Sequence, residues 1–253
     1  MEIKHLNHMR KYGLIGKDIS YSFSQNYFTI KFKDEAITDA TYQNFDIQDI
    51  EAFKTNILKT DNLSGLNVTI PYKETIIPFL DKLDKKAKKI GAVNTVKLTK
   101  KGQLKGYNTD IYGFKKTIKP HLKKRHKQAL ILGTGGASKA IAFVLNQLNI
   151  EYRFVSRKAS KKAAFTYDTL TEEDIKKHKL IINCSPVGTF PDVNEAPKIP
   201  YDGISSKHIL FDLIYNPSET VFLKNGKNKG ATTINGYDML VFQAEKSWKI
   251  WNK

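Results

Sequence analysis

The sequence predicts an α/β protein with two domains, each built on a largely parallel sheet. Two observations carry this prediction: strand and helix patterns alternate along the first third of the chain, and a glycine loop follows a short apolar strand that begins at Gln128. The 253 residues fit one large domain or two of ordinary size, and the 40% of apolar residues can bury a core.

The first third of the chain alternates between strand-like and helix-like segments. Lys11 to Gly16 has the pattern of a strand that ends at a glycine, and Thr38 to Phe45 has that of a second strand. The apolar spacing over Asp49 to Leu58 predicts a helix, and Leu66 to Ile70 returns to a strand pattern. This βαβ order indicates a mainly parallel sheet.

The run from Gly65 to Lys73 is unusual for a buried strand because it carries an amide, a hydroxyl and an amine. Side chains alternate along a strand, so Asn67 and Thr69 are expected on the same face before a proline ends the run. Buried polar groups need partners, and a bound substrate can supply them. We therefore expect this run to form one wall of an active site.

A second βαβ unit begins with the short apolar strand Gln128 to Leu132 and the glycine loop that follows it. A helix comes next, because apolar residues recur there at the spacing of one helical face: Ala140, Ile141, Val144, Leu145 and Leu148. Tyr152 to Val155 supplies the following strand. This order is typical of a nucleotide-binding unit of a Rossmann dinucleotide-binding domain.

The remaining part of the chain continues the same plan. Strands are predicted at Leu180 to Asn183 and at Ile209 to Ile214, each before a loop rich in Pro, Gly or Asn. The last segment, Tyr237 to Trp251, has the apolar spacing of a helix.

The net charge of +17 raises nucleic acid as a partner, but the residue types argue against it. All but four of the 42 basic residues are lysines, which lack the planar fork that arginine offers to phosphates and guanine edges. The segment Ile111 to Ile150 contains basic residues and no acidic ones, so it should attract anions. We expect small anionic ligands and no nucleic acid.

The sequence also argues against a membrane protein and against a metal-binding protein. The first eleven residues have no apolar signal core, and no apolar run approaches the roughly 20 residues that span a bilayer, so we expect a cytoplasmic protein without membrane contact. Cys184 is the only cysteine, which excludes an internal disulfide and a cysteine-based zinc site. No metal site is predicted.

The glycine loop predicts a dinucleotide, and the end of the following strand indicates which one. Glycines at a strand-to-helix turn allow the backbone close to a pyrophosphate, which the helix amino terminus attracts. An NAD site places a carboxylate at the end of the next strand, whereas an NADP site needs cations for the 2′-phosphate. The chain has Arg157 and Lys158 there and no acid. NADP is therefore favoured over NAD.

Further polar motifs, taken in order, resemble the shikimate dehydrogenase family over nearly the whole chain. They are the serine loop Ser20-Tyr21-Ser22-Phe23-Ser24, the run Asn67-Val68-Thr69-Ile70-Pro71-Tyr72-Lys73, Gly91-Ala92-Val93-Asn94-Thr95, Asn108-Thr109-Asp110, the Gly-x-Gly-Gly-Ala loop and a final Gly-x-x-Met-Leu-x-x-Gln. One such motif is weak, but the ordered set is specific.

The resemblance implies roles for individual residues. Lys73 matches the catalytic lysine, with Asp110 beside it. The substrate-binding matches are Ser22, Ser24, Asn67, Thr69, Asn94, Asp110, Tyr215 and Gln243. The cofactor-binding matches are Gly133, Thr134, Gly135, Gly136 and Ala137 in the phosphate loop, Ser156, Arg157, Lys158 and Lys161 at the 2′-phosphate, and Leu213 and Gly236 at the nicotinamide.

The resemblance implies reversible reduction of 3-dehydroshikimate to shikimate by NADPH, a step of chorismate and aromatic amino-acid biosynthesis. It further implies a substrate domain over residues 1–110, completed by 237–253, that faces an NADP-binding Rossmann domain over 111–236 across a cleft. The partner is a small-molecule substrate, and the protein is expected as a monomer or a homodimer. Two alternatives are a quinate/shikimate dehydrogenase that uses NAD and, more remotely, a non-catalytic basic Rossmann protein that binds nucleic acid.

The sequence departs from the family pattern at several positions. Tyr21 and Gln25 replace a histidine and a proline in the serine loop, and Ile111 follows the aspartate where glycine is common. Ser156-Arg157-Lys158 replaces Asn-Arg-Thr, and Asn183-Cys184-Ser185-Pro186 replaces Asn-Ala-Thr-Ser. A family member that accepts a different hydroxylated ring acid is therefore a third possibility.

Overall fold

The structure is a computed structural model that describes residues 9–20, 22–160 and 163–253. The chain divides into two compact units, one formed by the part up to Thr109 together with Ala244–Lys253, the other by Asp110–Gln243. The sequence-based division into a substrate-binding and an NADP-binding domain assigns a ligand to each part of the chain. That division stays a prediction.

The first unit is built on a six-stranded sheet. Its strands are β1 (Arg10–Gly16), β2 (Ala40–Asp46), β3 (Leu63–Val68), β4 (Lys82–Leu83), β5 (Thr95–Leu98) and β6 (Leu104–Tyr107), in the order β2-β1-β3-β5-β6-β4. The pairs β1–β2, β1–β3 and β4–β6 are parallel, whereas β5 runs antiparallel to β3 and β6. The sheet is therefore mainly parallel, with one reversed strand that the sequence pattern did not predict.

Two helices of the first unit are α1 (Phe23–Asp34) and α2 (Lys85–Ile90). The helix predicted over Asp49 to Leu58 is reduced to a π-helical turn, Phe53–Ile57, closed by the bond from Leu58 N to Phe53 O at 3.0 Å. Phe53 and Ile57 are buried as the spacing predicted. Apolar spacing identifies the buried face, but it does not distinguish a bond to the fourth preceding residue from one to the fifth.

The second unit is a Rossmann domain. Its strands are β7 (Gln128–Leu132), β8 (Glu151–Ser156), β9 (Ala163–Thr166), β10 (Leu180–Asn183), β11 (Ile209–Asp212) and β12 (Thr232–Ile234), all parallel in the order β12-β11-β10-β7-β8-β9. Its helices are α3 (Asp110–Ile118), α4 (Gly136–Gln147), α5 (Glu172–Lys177), α6 (Val221–Asn228) and the first part of α7 (Tyr237–Trp251). The order places the break between β7 and β10, where doubly wound sheets bind their ligands.

The central strands of the second unit are buried on both faces. Every residue of β10 and β11 is buried, because helices cover the sheet on each side. One apolar cluster contains Ile131, Ile141 and Phe211, and another contains Leu130, Ile181 and Leu210. Alternate residues of each strand thus pack into the clusters on opposite faces of the sheet. Because both faces are buried, the strands are continuous apolar runs in the sequence.

The last turns of the chain complete the core of the first unit. Trp251 stacks on Tyr12 with ring centroids 4.8 Å apart, and its Nε1 donates to Val96 O at 2.9 Å. Phe28 and Tyr42 stack in the same cluster at 4.5 Å. Across the described ranges, none of the helices combines the length and the apolar character needed to cross a membrane.

Candidate active site

The serine loop in the first unit leads directly into α1. Ser22 is the N-cap of that helix, and its Oγ accepts from Ser24 N at 3.2 Å. Ser24 is buried. Tyr21 lies outside the described residues. The two predicted serines are therefore held at the amino terminus of one helix, where backbone N–H groups favour an anion.

Tyr42 links α1 to the polar strand, because its ring stacks on Phe28. Its hydroxyl donates to Asn67 Oδ1 at 2.9 Å, and burial raises the pKa of Tyr42 far above its ordinary value. The Asn67 amide group donates to Asn94 O at 3.2 Å and to Ser247 Oγ at 3.0 Å. Each polar end of the Asn67 side chain therefore already has a partner within the protein.

A buried cluster of hydroxyls and amides surrounds Asn94. Its Oδ1 accepts from Thr109 N at 2.6 Å, and Thr95 Oγ1 lies 3.1 Å from the same oxygen. Thr95 Oγ1 also lies 2.8 Å from Ser247 Oγ. This cluster ties the Asn94 turn to the residues just before Asp110 and to the last part of the chain, so it fixes the orientation of Asn94.

Lys73 lies in a turn beyond the end of β3, and its backbone is tightly held. Val93 N donates to Lys73 O at 2.7 Å, which brings the turn beside Asn94. The preceding residue, Tyr72, donates from its hydroxyl to Ile47 O at 2.6 Å. The Lys73 side chain is half-buried. The structure therefore brings Lys73 and Asn94 together on neighbouring backbone segments.

Thr69 follows the last residue of β3, so it lies past the strand in which the sequence placed it. Its backbone N donates to Ile15 O at 2.8 Å. A Cβ added to Gly16 would lie 2.6 Å from Thr69 Cγ2. Only glycine at that position leaves room for Thr69 in its present place.

The phosphate loop of the second unit has the backbone that the glycines predicted. Gly133 has φ of +106°, which side-chain-bearing residues rarely adopt, and its N donates to Val155 O at 2.8 Å. Gly135 is the N-cap of α4, and a Cβ added there would meet no atom within 4 Å. The first turn of α4, which contains Gly136 and Ala137, has no acidic residue. This open helix terminus fits a phosphate group.

Basic side chains follow β8 in the place where an NAD site would have an acid. Arg157 and Lys158 are exposed, and Ser156 Oγ donates to Lys158 O, which closes the turn between them. Lys161 lies outside the described residues. The residues present fit a 2′-phosphate, because they offer cations and no carboxylate that would repel it.

The predicted nicotinamide residues follow β11 and β12 at the carboxyl edge of the sheet. Leu213 N donates to Asn183 O at 3.0 Å, and Gly236 N donates to Ile214 O at 2.9 Å. A Cβ added to Gly236 would lie 2.1 Å from Leu213 O, so glycine is needed for this close approach. Tyr215 is half-buried in the same segment. The structure thus brings Leu213 and Gly236 together.

Asp110 and Gln243 lie on two helices of the second unit that pack closely. Asp110 is the first residue of α3 and is buried. One turn later, a Cβ added to Gly113 would lie 2.4 Å from Met239 O and 3.3 Å from Gln243 Cβ. Glycine at position 113 therefore permits the close contact between the two helices. This contact places Gln243 beside Gly113, which is one turn of α3 after Asp110.

Sequence reasoning missed three polar residues that organise these sites: Tyr42, Ser247 and Asp212. Tyr42 and Ser247 are buried, and a hydroxyl at a buried position is a weak signal of a polar partner elsewhere in the fold. Asp212 ends an apolar strand in the same way. Over the described residues, no group of three or more His, Cys, Asp or Glu side chains is arranged to hold a metal ion.

Comparison with known proteins identifies the family. The sequence model of the shikimate dehydrogenase substrate binding domain matches residues 14–96. A shikimate dehydrogenase (NADP(+)) from Methanococcus vannielii is 40% identical over 258 residues, which cover 94% of this chain and 90% of that protein. One from Methanosphaera stadtmanae is 41% identical over 257 residues, with the same coverage of 94% and 90%.

A solved structure agrees with these relatives. Shikimate 5-dehydrogenase from Thermus thermophilus, in complex with NADP(H) and shikimate, superposes with a TM-score of 0.84 at 27% sequence identity and covers 96% of this chain and 93% of that chain. Both the substrate-domain sheet and the Rossmann sheet fall within the matched length. The chain therefore belongs to the shikimate dehydrogenase family.

Proposed function

We propose that this protein catalyses the reversible NADPH-dependent reduction of 3-dehydroshikimate to shikimate. The observation that carries the proposal is the turn after β3, where the Lys73 backbone is bonded beside Asn94, within a chain 40% identical to a shikimate dehydrogenase (NADP(+)). A lysine whose backbone lies beside oriented amide and hydroxyl groups suits a hydroxylated ring substrate.

The first unit supplies the groups that bind the ring acid. Ser22 and Ser24 bind its carboxylate at the amino terminus of α1, where the helix dipole also favours a negative charge. Thr69 and Asn94 hold ring hydroxyls. Asn67 belongs to the same polar strand, and its bond to Asn94 O also supports the Asn94 segment.

Lys73 is the proposed proton donor. Reduction of the ring ketone places negative charge on the carbonyl oxygen, and an ammonium group stabilises that charge before it gives up a proton. In the reverse direction the neutral amine accepts the hydroxyl proton while hydride leaves the same carbon. We also assign Asp110, Gln243 and Tyr215 to the substrate, with Asp110 as the acceptor of a hydrogen bond from a ring hydroxyl.

The second unit binds the cofactor, which supplies the hydride when bound. The loop Gly133, Thr134, Gly135, Gly136 and Ala137 offers backbone N–H groups to the pyrophosphate, and Arg157, Lys158 and Lys161 offer cations to the 2′-phosphate with Ser156 in the same turn. Leu213 and Gly236 line the nicotinamide. The absence of an acid after β8 supports NADP over NAD.

The test is a panel assay that pairs shikimate or quinate with NADP or NAD in the oxidation direction. We expect the highest kcat/KM with shikimate and NADP, and a loss of the NADP preference in Arg157→Ala. A higher kcat/KM with quinate and NAD supports the alternative enzyme instead. A lack of turnover with all four pairs contradicts the proposed activity.

Three further expectations belong to this proposal. The protein is a monomer or a homodimer, it works in the cytoplasm, and it does not bind nucleic acid. The last is supported by the scarcity of arginine, since only four of 42 basic residues are arginines.

A further inference from the structure

A buried carboxylate occupies the end of the central strand β11 in the second unit. Asp212 has no exposed surface, and its carboxylate accepts three hydrogen bonds. Thr220 Oγ1 donates to Oδ2 at 2.7 Å, while Asn183 Nδ2 and Ile214 N each donate to Oδ1 at 3.0 Å. The three donors come from the start of α6, the end of β10 and the loop after β11.

This carboxylate is costly for the fold. Burial raises the pKa of Asp212 to about 6, and hydrogen bonds from Thr220, Ile214 and Asn183 only partly offset that effect. The residues before it in β11, Ile209 to Phe211, are apolar and pack without such a cost. Replacement of a buried charge together with its partners by well-packed apolar residues is often neutral or stabilising. Stability alone therefore does not account for an acid here.

The hydrogen bonds of Asp212 extend into the loop after β10. Asn183, held through its Nδ2, accepts at Oδ1 from Ser185 N at 3.0 Å and from Ser185 Oγ at 2.7 Å. Its Nδ2 also lies 3.4 Å from Val187 O. The carboxylate thus holds the first residues of two loops in place. It bonds Ile214 in the loop after β11 directly, and it holds the loop after β10 through Asn183.

Both loops adjoin proposed cofactor-binding residues of the same unit. Ile214 O accepts from Gly236 N at 2.9 Å, and Leu213 N donates to Asn183 O at 3.0 Å. A Cβ added to Gly133 would lie 3.3 Å from the Cys184 carbonyl, so the β10 loop packs directly on the phosphate loop. The ends of parallel strands beside the break in strand order are where doubly wound domains hold a dinucleotide.

We propose that Asp212 is a positioning residue that orients the nicotinamide-binding loops after β10 and β11 without touching the cofactor. The inference rests on the proposed NADP-dependent function and names a further residue on which that function depends. Through its bond from Ile214, Asp212 orients the loop after β11, which contains Leu213. Through its bond from Asn183, it orients the loop after β10, which contains Ser185. The hydrogen bonds that Asp212 accepts in the described part of the chain come from Asn183, Ile214 and Thr220, and none comes from the turn after β8, where the adenine end is assigned.

The test compares Asp212→Ala with Asp212→Asn, which keeps the shape and most of the hydrogen bonds. Asp202→Asn is the matched control, because Asp202 is an exposed acid of the same unit paired with Lys229 at 2.6 Å. Four measurements are made: kcat, the primary deuterium isotope effect on shikimate oxidation, the Kd for 2′,5′-ADP, which lacks nicotinamide, and amide exchange by mass spectrometry.

We expect Asp212→Ala to lower kcat by about 10-fold or more and to raise the isotope effect, because a misplaced nicotinamide slows hydride transfer. The Kd for 2′,5′-ADP should stay within about twofold of the wild-type value, since an affinity is unchanged when its contacts are unchanged. Exchange should rise in peptides covering residues 184–190 and 213–217. Asp212→Asn should recover most of kcat, and Asp202→Asn should match the wild type throughout.

The inference is overturned if Asp212→Ala keeps kcat and the isotope effect, or if it loses 2′,5′-ADP affinity in parallel with kcat. Should Asp212→Ala not fold, Asn183→Ala replaces it. That variant keeps the bonds from Thr220 and Ile214 to Asp212, removes the links from Asp212 to Ser185 and Val187, and should show the same pattern. An inactive wild type would contradict the proposed function instead, and the exchange comparison would still test the role of Asp212.

Discussion

At the scale of single residues, the first unit fixes its polar side chains by pairing them with one another. Asn67 and Asn94 are both buried, and donors and acceptors from Tyr42, Thr95 and Ser247 surround them. A buried polar group that loses its partner costs more than the hydrogen bond itself contributes. These residues should therefore be sensitive to changes that remove a single atom.

Tyr42→Phe tests this pairing. The change removes the hydroxyl that donates to Asn67 Oδ1, so we expect the free energy of unfolding to fall by about 1–3 kcal/mol. Urea denaturation measures it. Tyr152→Phe is the control, because its exposed hydroxyl accepts only a 3.5 Å bond from Asn146, and its effect should stay within about 0.5 kcal/mol. Equal stability of the two variants would contradict the pairing argument.

Lys73→Ala tests the chemistry at the same scale. Loss of the proton donor should lower kcat by about 10²- to 10⁴-fold, the usual contribution of a general acid or base. The Kd for NADPH, measured by fluorescence titration, should change little, because we assign Lys73 to the substrate. Lys82→Ala, an exposed lysine of the same unit, should keep wild-type kinetics. Near-normal turnover of Lys73→Ala would remove Lys73 from the mechanism.

At the scale of elements, close approaches decide where glycine is required. In the first unit β3 passes directly beneath the Trp251 indole, and a Cβ added to Gly65 would lie 2.3 Å from that ring. The indole cannot retreat easily, because its Nε1 donates to Val96 O at 2.9 Å. In the second unit Gly135 has open space around it instead. The same substitution should therefore act differently at the two positions.

Gly65→Ala should destabilise the protein by about 1–3 kcal/mol, the usual cost of overpacking a core. The indole must move, so the tryptophan fluorescence of the native state should change as well. Urea denaturation followed by fluorescence reports both effects. An unchanged unfolding midpoint would show that Trp251 is less firmly held than its hydrogen bond to Val96 indicates.

Gly135→Ala is the matched substitution in an open site. Stability should change by less than about 1 kcal/mol, the difference between glycine and alanine at an N-cap. The Kd for NADPH should rise, because the added methyl group enters the space that we assign to the pyrophosphate. Titration of NADPH fluorescence measures this. Unchanged NADPH affinity would place the pyrophosphate elsewhere.

At the scale of the whole molecule, three histidines of the second unit are buried as neutral side chains. Burial lowers the pKa values of His126, His178 and His208. His208 illustrates the cause: Nδ1 accepts from Ser205 N at 3.0 Å and Nε2 donates to Ile175 O at 2.9 Å, which only the neutral ring can do. Protonation must break one of these bonds.

We expect stability to fall as the pH drops from about 8 to about 5.5. The unfolded chain takes up protons near the ordinary histidine pKa of about 6.5, whereas the folded state takes them up only at lower pH, so acid favours unfolding. The raised pKa of Asp212 acts in the opposite direction. Urea midpoints at the two pH values measure the net effect, and greater stability at the lower pH would contradict it.

His208→Gln isolates the histidine contribution, because glutamine offers one donor and one acceptor without titrating. Its urea midpoint should differ less between the two pH values than that of the wild type. His121→Gln is the control, since His121 is exposed, and it should keep the wild-type difference. A pH dependence identical in both variants would assign the effect to other groups.

The sequence by itself determined the α/β class, the strands at Leu180 to Asn183 and before the glycine loop, the final helix and the family. These features follow from local causes: side-chain periodicity, the backbone freedom of glycine and the charges that follow β8. The motif residues Lys73 and Asn94 were also predicted in order along the chain. The structure then placed their backbone segments side by side through Val93.

Only the tertiary structure decided which partners hold those residues. Asn67 meets Ser247 across 180 positions of sequence, and Asp212 meets Asn183 across 29 positions. Periodicity specifies which face a side chain lies on, but it does not specify which distant group that face meets. The direction of β5 and the π-helical turn at Phe53–Ile57 have the same cause. More than one backbone conformation buries the same residues, and tertiary packing, not the local sequence pattern, decides which one forms.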